Sequence, residues 1–335
     1  MPRVRWAVVG TSDFALDWIA RGITMGRNSE LAAIVSRDPE RGRAAAAKTG
    51  ASLHFTSIDA LDTDVVDGVF IVTPNQAHAP LAIAAARRGL HVIVEKPMAP
   101  TLQECEAMID AANDAGVVLA VAHCMHWTPP VMAARELIEQ GRLGMVAVAT
   151  ISASYNSRPN NSWRQTDTTE QGGGPLYDMG VHAIDTIQSL VGPISRVAAL
   201  LGHHVYNYPA EDSATLLLHF ASGAHGVVEA NGNCNQNGFE IAGTEGRIWS
   251  TQWLGREFRG NLWIERVGRT SEIPLEQANV YVPQIEHVSG CVLTGDSPVI
   301  SGSRGRDNVA VITAAIEAAR TGSRVSVAQS GTKST

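Results

Sequence analysis

Cysteine is scarce in this chain, and long hydrophobic runs are absent. The four cysteines among 335 residues are widely scattered and include no CxxC pair, which argues against a disulfide framework and for free thiols. No apolar run approaches the roughly 18 residues that a membrane span requires, and the amino terminus leads into a strand-like segment rather than a leader peptide. These features predict a cytoplasmic protein with no membrane partner.

Positive charge is not in excess. The 26 Lys and Arg residues are outnumbered by 33 Asp and Glu residues, and the formal net charge is −7. Because nucleic acids reward clustered basic residues, we expect no nucleic-acid partner. His123, Cys124 and His126 lie close together, but a structural zinc site usually brings further closely spaced ligands. We therefore expect no metal site.

The length and patterning of the chain indicate two domains and a short tail. A chain of 335 residues exceeds what one core usually supports. Residues 1–125 alternate apolar strand patterns with Ala-rich helical patterns, which is typical of an α/β domain with a doubly wound parallel sheet. Residues 126–328 combine longer strand patterns with a few helices and predict an α+β domain, and residues 329–335 form a polar tail.

A glycine turn follows the first predicted strand. Gly10 ends that strand, and a helix pattern begins at Asp13, where free N–H groups and the helix dipole can stabilise a pyrophosphate. The G-x-G-x-x-G/A pattern is met only in part, since Ser12 replaces the second glycine while Ala15 supplies the small third residue. The turn predicts a dinucleotide site or, alternatively, a simple strand-to-helix connection.

The end of the second predicted strand bears on the choice of cofactor. Dehydrogenases selective for NAD tend to place an acid here, whereas a nearby Arg accommodates the 2′-phosphate of NADP. This chain has Ser36 followed by Arg37, which favours NADP as the preferred cofactor and leaves NAD as the alternative. Asp38 comes next and could instead cap the helix that starts at Pro39.

Several short motifs occur in a characteristic order along the chain. They are Val72-Thr73-Pro74-Asn75 with His78, Glu95-Lys96-Pro97, Trp163-Arg164, Gly172-Gly173-Gly174, Asp178-Met179-Gly180-Val181-His182 with Asp185, and Gly243-Thr244-Glu245-Gly246. Single motifs are unspecific, but this order and spacing are jointly strong. In these residues the chain resembles the Gfo/Idh/MocA family of oxidoreductases over nearly its whole length.

The resemblance implies a fold and an activity. A Rossmann domain would be followed by a domain with a large open, mostly antiparallel sheet, and a nicotinamide cofactor would serve hydride transfer to or from a sugar, cyclitol or related polyol. The Lys96–Pro97 peptide bond would be cis. The open sheet face would pack against another subunit, which predicts a homodimer or homotetramer.

The turn, the strand ends and the resemblance together give a set of predicted cofactor contacts. These are Gly10, Thr11, Ser12, Asp13, Phe14, Ser36, Arg37, Thr73, Pro74, Asn75, His78, Glu95, Lys96, Pro97, Trp163 and Arg164. For Trp163 and Arg164, covering the domain junction is the alternative.

Three residues are predicted to be catalytic: Lys96, Asp178 and His182. Asp178, His182 and Asp185 stand at i, i+4 and i+7, so on a helix they share one face. A His with a pKa near 6.5 can exchange the hydroxyl proton at neutral pH as hydride transfers, while the Lys96 ammonium stabilises charge on the reacting oxygen. Whether Lys96 or His182 transfers the proton stays open, and a helix face that satisfies loop backbone groups is the structural alternative.

Position 126 departs from the family pattern. Members often have Arg-aromatic-x-Pro here, whereas this chain has His126-Trp127-Thr128-Pro129, so a fixed charge becomes a titratable ring. We predict a carbohydrate-like substrate bound by Lys96, His126, Asp178 and His182. Two other functions are compatible with the sequence: a glycoside hydrolase that uses bound NAD for transient oxidation and elimination, and a non-catalytic nucleotide-binding regulator.

Overall fold

The computed structural model describes residues 2–160, 162–255, 260–276 and 278–330. The chain forms two compact units, one of Met1–His123 with Tyr281–Arg306 and the other of Cys124–Val280 with Asp307–Thr335. Within the described ranges, no helix combines the length and the apolar character that crossing a membrane requires. Part of the predicted tail, residues 331–335, lies outside the described residues.

The first unit contains a parallel sheet of six strands in the order β3-β2-β1-β4-β5-β6. The strands are β1 (Val4–Val9), β2 (Ser29–Val35), β3 (Leu53–Phe55), β4 (Gly68–Ile71), β5 (His91–Glu95) and β6 (Leu119–Ala122). Apolar residues such as Trp6, Ile34 and Phe70 are fully buried on them, as expected for strands covered on both faces. The predicted doubly wound Rossmann sheet is confirmed.

The described residues include nine α-helices. The α-helices are α1 (Arg21–Met25), α2 (Pro39–Thr49), α3 (His78–Arg87), α4 (Leu102–Ala115), α5 (Pro129–Glu139), α6 (Trp163–Thr166), α7 (Val181–Val191), α8 (Tyr281–Thr294) and α9 (Gly302–Thr321). Two of them, α1 and α7, are preceded by π-helical segments, Ala15–Ala20 and Leu176–Gly180. Such segments are rare and often occur at functional sites.

Helix α8 lies with the first unit, although the sequence had placed it in the second domain. The Trp6 indole N–H on β1 donates to the Ser289 hydroxyl at 2.9 Å. The ring of Tyr281 contacts those of Phe14 and Trp18, with centroids 5.8 Å apart in each pair. These contacts join residues more than 250 positions apart, which a sequence pattern cannot reveal.

The second unit contains a nine-stranded sheet in the order β14-β13-β12-β11-β7-β10-β9-β8-β15. The strands are β7 (Val146–Ser154), β8 (Ile194–Gly202), β9 (Ser213–Phe220), β10 (His225–Asn231), β11 (Gln236–Gly243), β12 (Arg247–Ser250), β13 (Trp263–Arg266), β14 (Arg269–Glu272) and β15 (Val325–Ser326). All neighbouring pairs are antiparallel except β7 with β10. The predicted large, mostly antiparallel sheet is confirmed.

One face of this sheet packs against α7, while the other presents its side chains outward. Along β9 buried and more exposed residues alternate, and Leu217 on the outward face is 60% exposed. Helix α7 buries almost its entire length, including His182 and Asp185. The sheet therefore positions the helix on which the predicted acid–base residues lie.

Candidate active site

Gly10 lies at the point where the order of the parallel strands reverses. It follows β1, its φ is +132°, and a Cβ there would overlap the carbonyl oxygen of Val72 just beyond β4. Only glycine allows this close approach of two strand ends. Ligands of open α/β sheets bind in the crevice beyond the strand ends at such a switch point, so this cradle fits a dinucleotide.

The segment after Gly10 begins a helix with exposed polar residues. The Ser12 hydroxyl accepts a hydrogen bond from the Ala15 N–H at 3.2 Å, as an N-cap does. Ser12 and Asp13 are exposed, Thr11 and Phe14 are half-buried, and the Phe14 ring is braced by Tyr281. This accessible helix start is where the sequence predicted contacts with the cofactor phosphates.

The end of β2 separates the roles of Ser36, Arg37 and Asp38. The Ser36 N–H donates to the Phe55 carbonyl at 3.0 Å, which fixes the strand end. Asp38 caps α2, because its Oδ1 accepts from the N–H groups of Glu40 and Arg41 at 2.9 and 3.1 Å. The predicted alternative for Asp38 is thus what the structure shows. Arg37 is exposed, and no ion pair holds its guanidinium among the described residues.

The residues after β4 include a buried hydroxyl. Thr73 Oγ1 is buried and has no hydrogen-bond partner in the described part of the chain, so it can serve a bound polar group. Pro74 precedes a short 3₁₀ turn, Asn75–Ala77, in which Asn75 is buried. The predicted contacts of these three residues with the cofactor therefore stay predictions that the local chemistry fits.

His78 lies beneath this edge of the sheet and joins two of its loops. Its ring is fully buried, with Nδ1 2.9 Å from the Pro97 carbonyl and Nε2 3.0 Å from the Thr73 carbonyl. Burial lowers the pKa of His78, and a neutral ring donates to one carbonyl at a time. His78 thus braces the loops after β4 and β5, while its direct contact with the cofactor stays a prediction.

Lys96 follows β5 at the same carboxyl edge of the sheet. The Lys96 backbone N–H donates to Glu95 Oε2 at 3.2 Å, and the Glu95 side chain is largely buried. The Lys96–Pro97 peptide bond is cis, as predicted. Lys96 itself is half-buried, so its side chain retains access to solvent in a polar setting close to the strand end.

In the second unit, Asp178 holds a charged and hydrogen-bonded position. It accepts a hydrogen bond from the Tyr155 hydroxyl at 2.9 Å and pairs with the Arg164 Nε at 3.1 Å. The charge of Asp178 raises the pKa of Tyr155, so the phenol remains protonated and donates. Arg164 also stacks on the Trp163 ring, 4.5 Å from its centroid. The predicted pair Trp163 and Arg164 is thus brought to Asp178.

Asp185 has different partners from Asp178, although both were predicted on one helix face. Asp185 is 1% exposed and accepts from the Asn308 side-chain amide at 3.0 Å. Asp178 lies in the π-helical segment, whose wider turn changes the angle between successive residues, while His182 and Asp185 lie in α7. Asp178 thus faces the polar loop of residues 156–171, and Asp185 is held inside the unit.

The His126 ring lies beside a fixed positive charge, the guanidinium of Arg135. Arg135 on α5 places Nη2 3.1 Å from His126 Nδ1, and the same nitrogen donates to the Ser189 hydroxyl at 3.0 Å. Arginine can only donate, so His126 Nδ1 accepts and the ring carries its proton on Nε2. Arg135 therefore places a fixed positive charge beside position 126, where family members often have an arginine and this chain has a histidine.

Replacing Arg135 should release this ring. In Arg135→Met the donor to Nδ1 is lost, so the preference of the ring for the Nε2–H tautomer should weaken. Long-range ¹H–¹⁵N spectra of the imidazole, recorded at one pH for the wild type and the variant, distinguish the two tautomers, with Arg142→Met, which removes an exposed arginine, as the control. An unchanged His126 spectrum in Arg135→Met would contradict the assigned tautomer.

Among the residues that support Asp178, Asp185 and His126, Arg164 was predicted as a cofactor contact, whereas Tyr155, Asn308 and Arg135 were missed. Tyr155 and Arg164 line a cleft of the second unit together with Asp178, Pro175 and Tyr208. Tyr155 directly follows β7 and precedes the long polar loop, and this position was the only signal available. No motif around Arg135 or Asn308 in the sequence indicates that these residues contact His126 and Asp185. Among the described residues no cluster of three or more His, Cys, Asp or Glu could hold a metal ion.

A glycine cradle at the switch point of a parallel sheet defines a nucleotide-binding protein of the Rossmann class. The family model described as "Oxidoreductase family, NAD-binding Rossmann fold" matches residues 4–123, and that of the GFO/IDH/MocA C-terminal domain matches residues 131–249. The chain therefore belongs to the Gfo/Idh/MocA family. It is an NAD(P)-dependent oxidoreductase, as predicted.

Three relatives illustrate the similarity. 1,5-Anhydro-D-fructose reductase of Ensifer adhaerens is 30% identical over 326 residues, 95% of this chain and 97% of the relative. D-xylose 1-dehydrogenase [NADP(+)] of Haloarcula marismortui is 26% identical over 96% of this chain and 92% of the relative. The structure of levoglucosan dehydrogenase in complex with NADH and levoglucosan aligns with a TM-score of 0.87 and 26% identity, covering 98% of this chain and 100% of that one.

Proposed function

We propose that this enzyme transfers hydride between NADP, or less readily NAD, and a hydroxyl-bearing or carbonyl carbon of a sugar or related polyol. The observation that carries the proposal is the carboxyl edge of the first sheet, which has the Gly10 cradle beyond β1 and Lys96 with its cis proline beyond β5. The relatives named above act on sugars by their names, which supports the substrate class.

The cofactor would be held by the residues after the strand ends. The exposed helix start after Gly10 suits the pyrophosphate, Arg37 suits a 2′-phosphate, and Thr73, Pro74 and Asn75 line the end of β4. When bound, the nicotinamide supplies or accepts the hydride. Trp163 and Arg164 are proposed as further contacts of the cofactor.

The proton is handled by Lys96 and His182. The Lys96 ammonium hydrogen-bonds the reacting oxygen and stabilises the negative charge that develops on it during oxidation. The His182 imidazole takes the hydroxyl proton in oxidation and returns it in reduction. Asp178, which is paired with Arg164, accepts hydrogen bonds from substrate hydroxyls, and His126 Nε2–H donates to the substrate.

An assay of net cofactor turnover tests the proposal. Sugars, anhydrosugars and polyols are supplied singly with NADP, with NAD and with their reduced forms, and the reduced-nicotinamide absorbance is followed. Steady formation or consumption of the reduced cofactor with one substrate class is the expected result. Substrate breakdown without net cofactor change would instead favour the glycoside hydrolase, and cofactor binding without either would favour the regulator.

The guanidinium of Arg37 is expected to select NADP. A hydrogen bond between charged groups contributes about 1.5 to 3 kcal/mol, so Arg37→Ala should raise the KM for NADP by roughly 10- to 100-fold and change that for NAD little. Arg43→Ala removes another exposed arginine of the same region and serves as the control. An equal rise in KM for both cofactors would show that Arg37 does not bind the 2′-phosphate.

A further inference from the structure

Glu211 is a buried acid that the mechanism above does not use. The residue is 2% exposed and lies just before β9. Its carboxylate accepts a hydrogen bond from the Leu176 N–H at 2.9 Å and another from the Thr169 hydroxyl. Leu176 begins the π-helical segment that contains Asp178. The carboxylate thus ties the polar loop to the start of the helix that carries the candidate catalytic residues.

Gly174 shows how closely the carboxylate approaches this turn. Gly174 has φ of +85°, and a Cβ built on it would overlap both carboxylate oxygens of Glu211. Gly174 and Pro175 also line the cleft that contains Asp178. The Glu211 carboxyl group therefore lies directly behind one wall of that cleft, and the glycine of the Gly172-Gly173-Gly174 motif makes room for it.

The Glu211 carboxyl titrates unusually high for an acid. Burial raises its pKa to about 7, and the charge of Glu170 adds to the rise, while hydrogen bonds from Thr169 and Leu176 oppose it. Tyr208 faces the same region with a pKa that burial and the charges of Asp212 and Glu211 raise to about 12. Of these two groups, Glu211 is therefore the one whose raised pKa lies near neutral pH.

We propose that Glu211 is a positioning residue whose carboxyl group holds the Gly172–Gly174 turn and the first turn of the following helix, so that Asp178 and His182 keep their working arrangement. The inference rests on the proposed function, because Glu211 acts through those two residues. Both protonation states keep the contacts. In the neutral acid the carbonyl oxygen still accepts a hydrogen bond from the Leu176 N–H, and the carboxyl O–H can donate a hydrogen bond to the Thr169 hydroxyl.

A thermodynamic cycle tests the contact without using activity. Thermal unfolding is measured for the wild type, Gly174→Ala, Glu211→Ala and the double variant. Gly174→Ala alone suffers both the overlap with the carboxylate and the positive φ, whereas in the Glu211→Ala background only the backbone strain remains. The decrease in Tm caused by Gly174→Ala should therefore be clearly smaller in that background, and an equal decrease in both would overturn the contact.

The pH dependence of stability tests the buried acid by a second route. The folded-state pKa of Glu211 is raised above its usual 4.5, so its contribution to stability is present below about pH 4.5 and is lost as the pH rises through about 7. Glu211→Gln lacks this proton, so its Tm relative to the wild type should rise between about pH 5 and 8. Glu272→Gln, which removes an exposed acid of β14, should show no such trend, and a flat difference for Glu211→Gln would count against the proposal.

Kinetics decide whether the contact serves the reaction. Glu211→Ala should lower kcat on the order of tenfold to a hundredfold while the Kd of the cofactor changes little, and Glu211→Gln should restore most of kcat. If Glu211→Ala is fully active while His182→Asn is inactive, the positioning role of Glu211 is refuted and the proposed function still stands. If the Asp178→Ala and His182→Asn variants are themselves fully active, the proposed function fails instead, and the unfolding cycle still reports on the contact.

Discussion

Replacing Lys96 by Met is expected to lower kcat by about a hundred- to a thousandfold. That is the usual cost of removing one donor that stabilises negative charge on a reacting oxygen, and Lys96 is proposed to be such a donor. Met keeps the apolar stem of the side chain, so the backbone hydrogen bond to Glu95 and the cis bond to Pro97 are undisturbed. The Kd of the cofactor should therefore change only slightly.

The chain offers a matched control for this experiment. Lys48 is an exposed lysine of the same unit, paired with Asp17 at 2.7 Å, and ion pairs of this kind contribute little. Lys48→Met should retain wild-type kinetics under all conditions. If Lys96→Met keeps more than about a tenth of the wild-type kcat, the lysine does not act on the reacting oxygen, and its role would reduce to binding.

The contacts of short sequence range were predictable from the sequence. Gly10 ends a strand and opens a helix within a few residues, and Lys96-Pro97 closes a strand, so local pattern alone places them at the carboxyl edge of a parallel sheet. Asp38 as the cap of α2 follows from its position before Pro39. Each of these depends on chain geometry over one turn or one strand.

The supporting contacts were not predictable, because they join distant parts of the chain. Glu211 bonds Leu176 across 35 residues, Asn308 bonds Asp185 across 123, and Trp6 bonds Ser289 across 283. The pattern of a single sequence does not show which residues so far apart in the chain become neighbours in the fold. The Gly172-Gly173-Gly174 motif was visible, but its physical reason, a carboxylate behind Gly174, exists only in the folded chain.

The π-helical segment shows a second limit of sequence patterns. The spacing of Asp178, His182 and Asp185 assumes an α-helix throughout, yet Leu176–Gly180 is wound more widely. The spacing therefore found the correct helix, but it did not reveal the different partners of Asp178 and Asp185. Asp178 is instead held by Tyr155, which follows β7, and by Arg164, which lies in the polar loop.

Replacing His182 by Asn is expected to cost kcat about a hundred- to ten-thousandfold, since this is the range that a positioned general acid–base group contributes. Asn keeps the size and polarity of the buried side chain, which is 5% exposed, but cannot carry the proton. In the wild type the rate of oxidation should rise with pH as the imidazole loses its proton, because only the neutral ring can accept the hydroxyl proton. That ionisation should vanish in His182→Asn, whereas His203→Asn, at an exposed histidine of the same unit, should keep it.

The two variants together identify the group that transfers the proton. A base accepts the proton only in its neutral form, so the variant that lacks the base loses the ionisation seen in kcat, while the variant that lacks only charge stabilisation keeps it at a lower rate. We expect Lys96→Met to retain the step near neutral pH and His182→Asn to lose it. The opposite result would assign proton transfer to Lys96, whose neutral amine would then be the base, and would leave His182 as a hydrogen-bonding residue for the substrate.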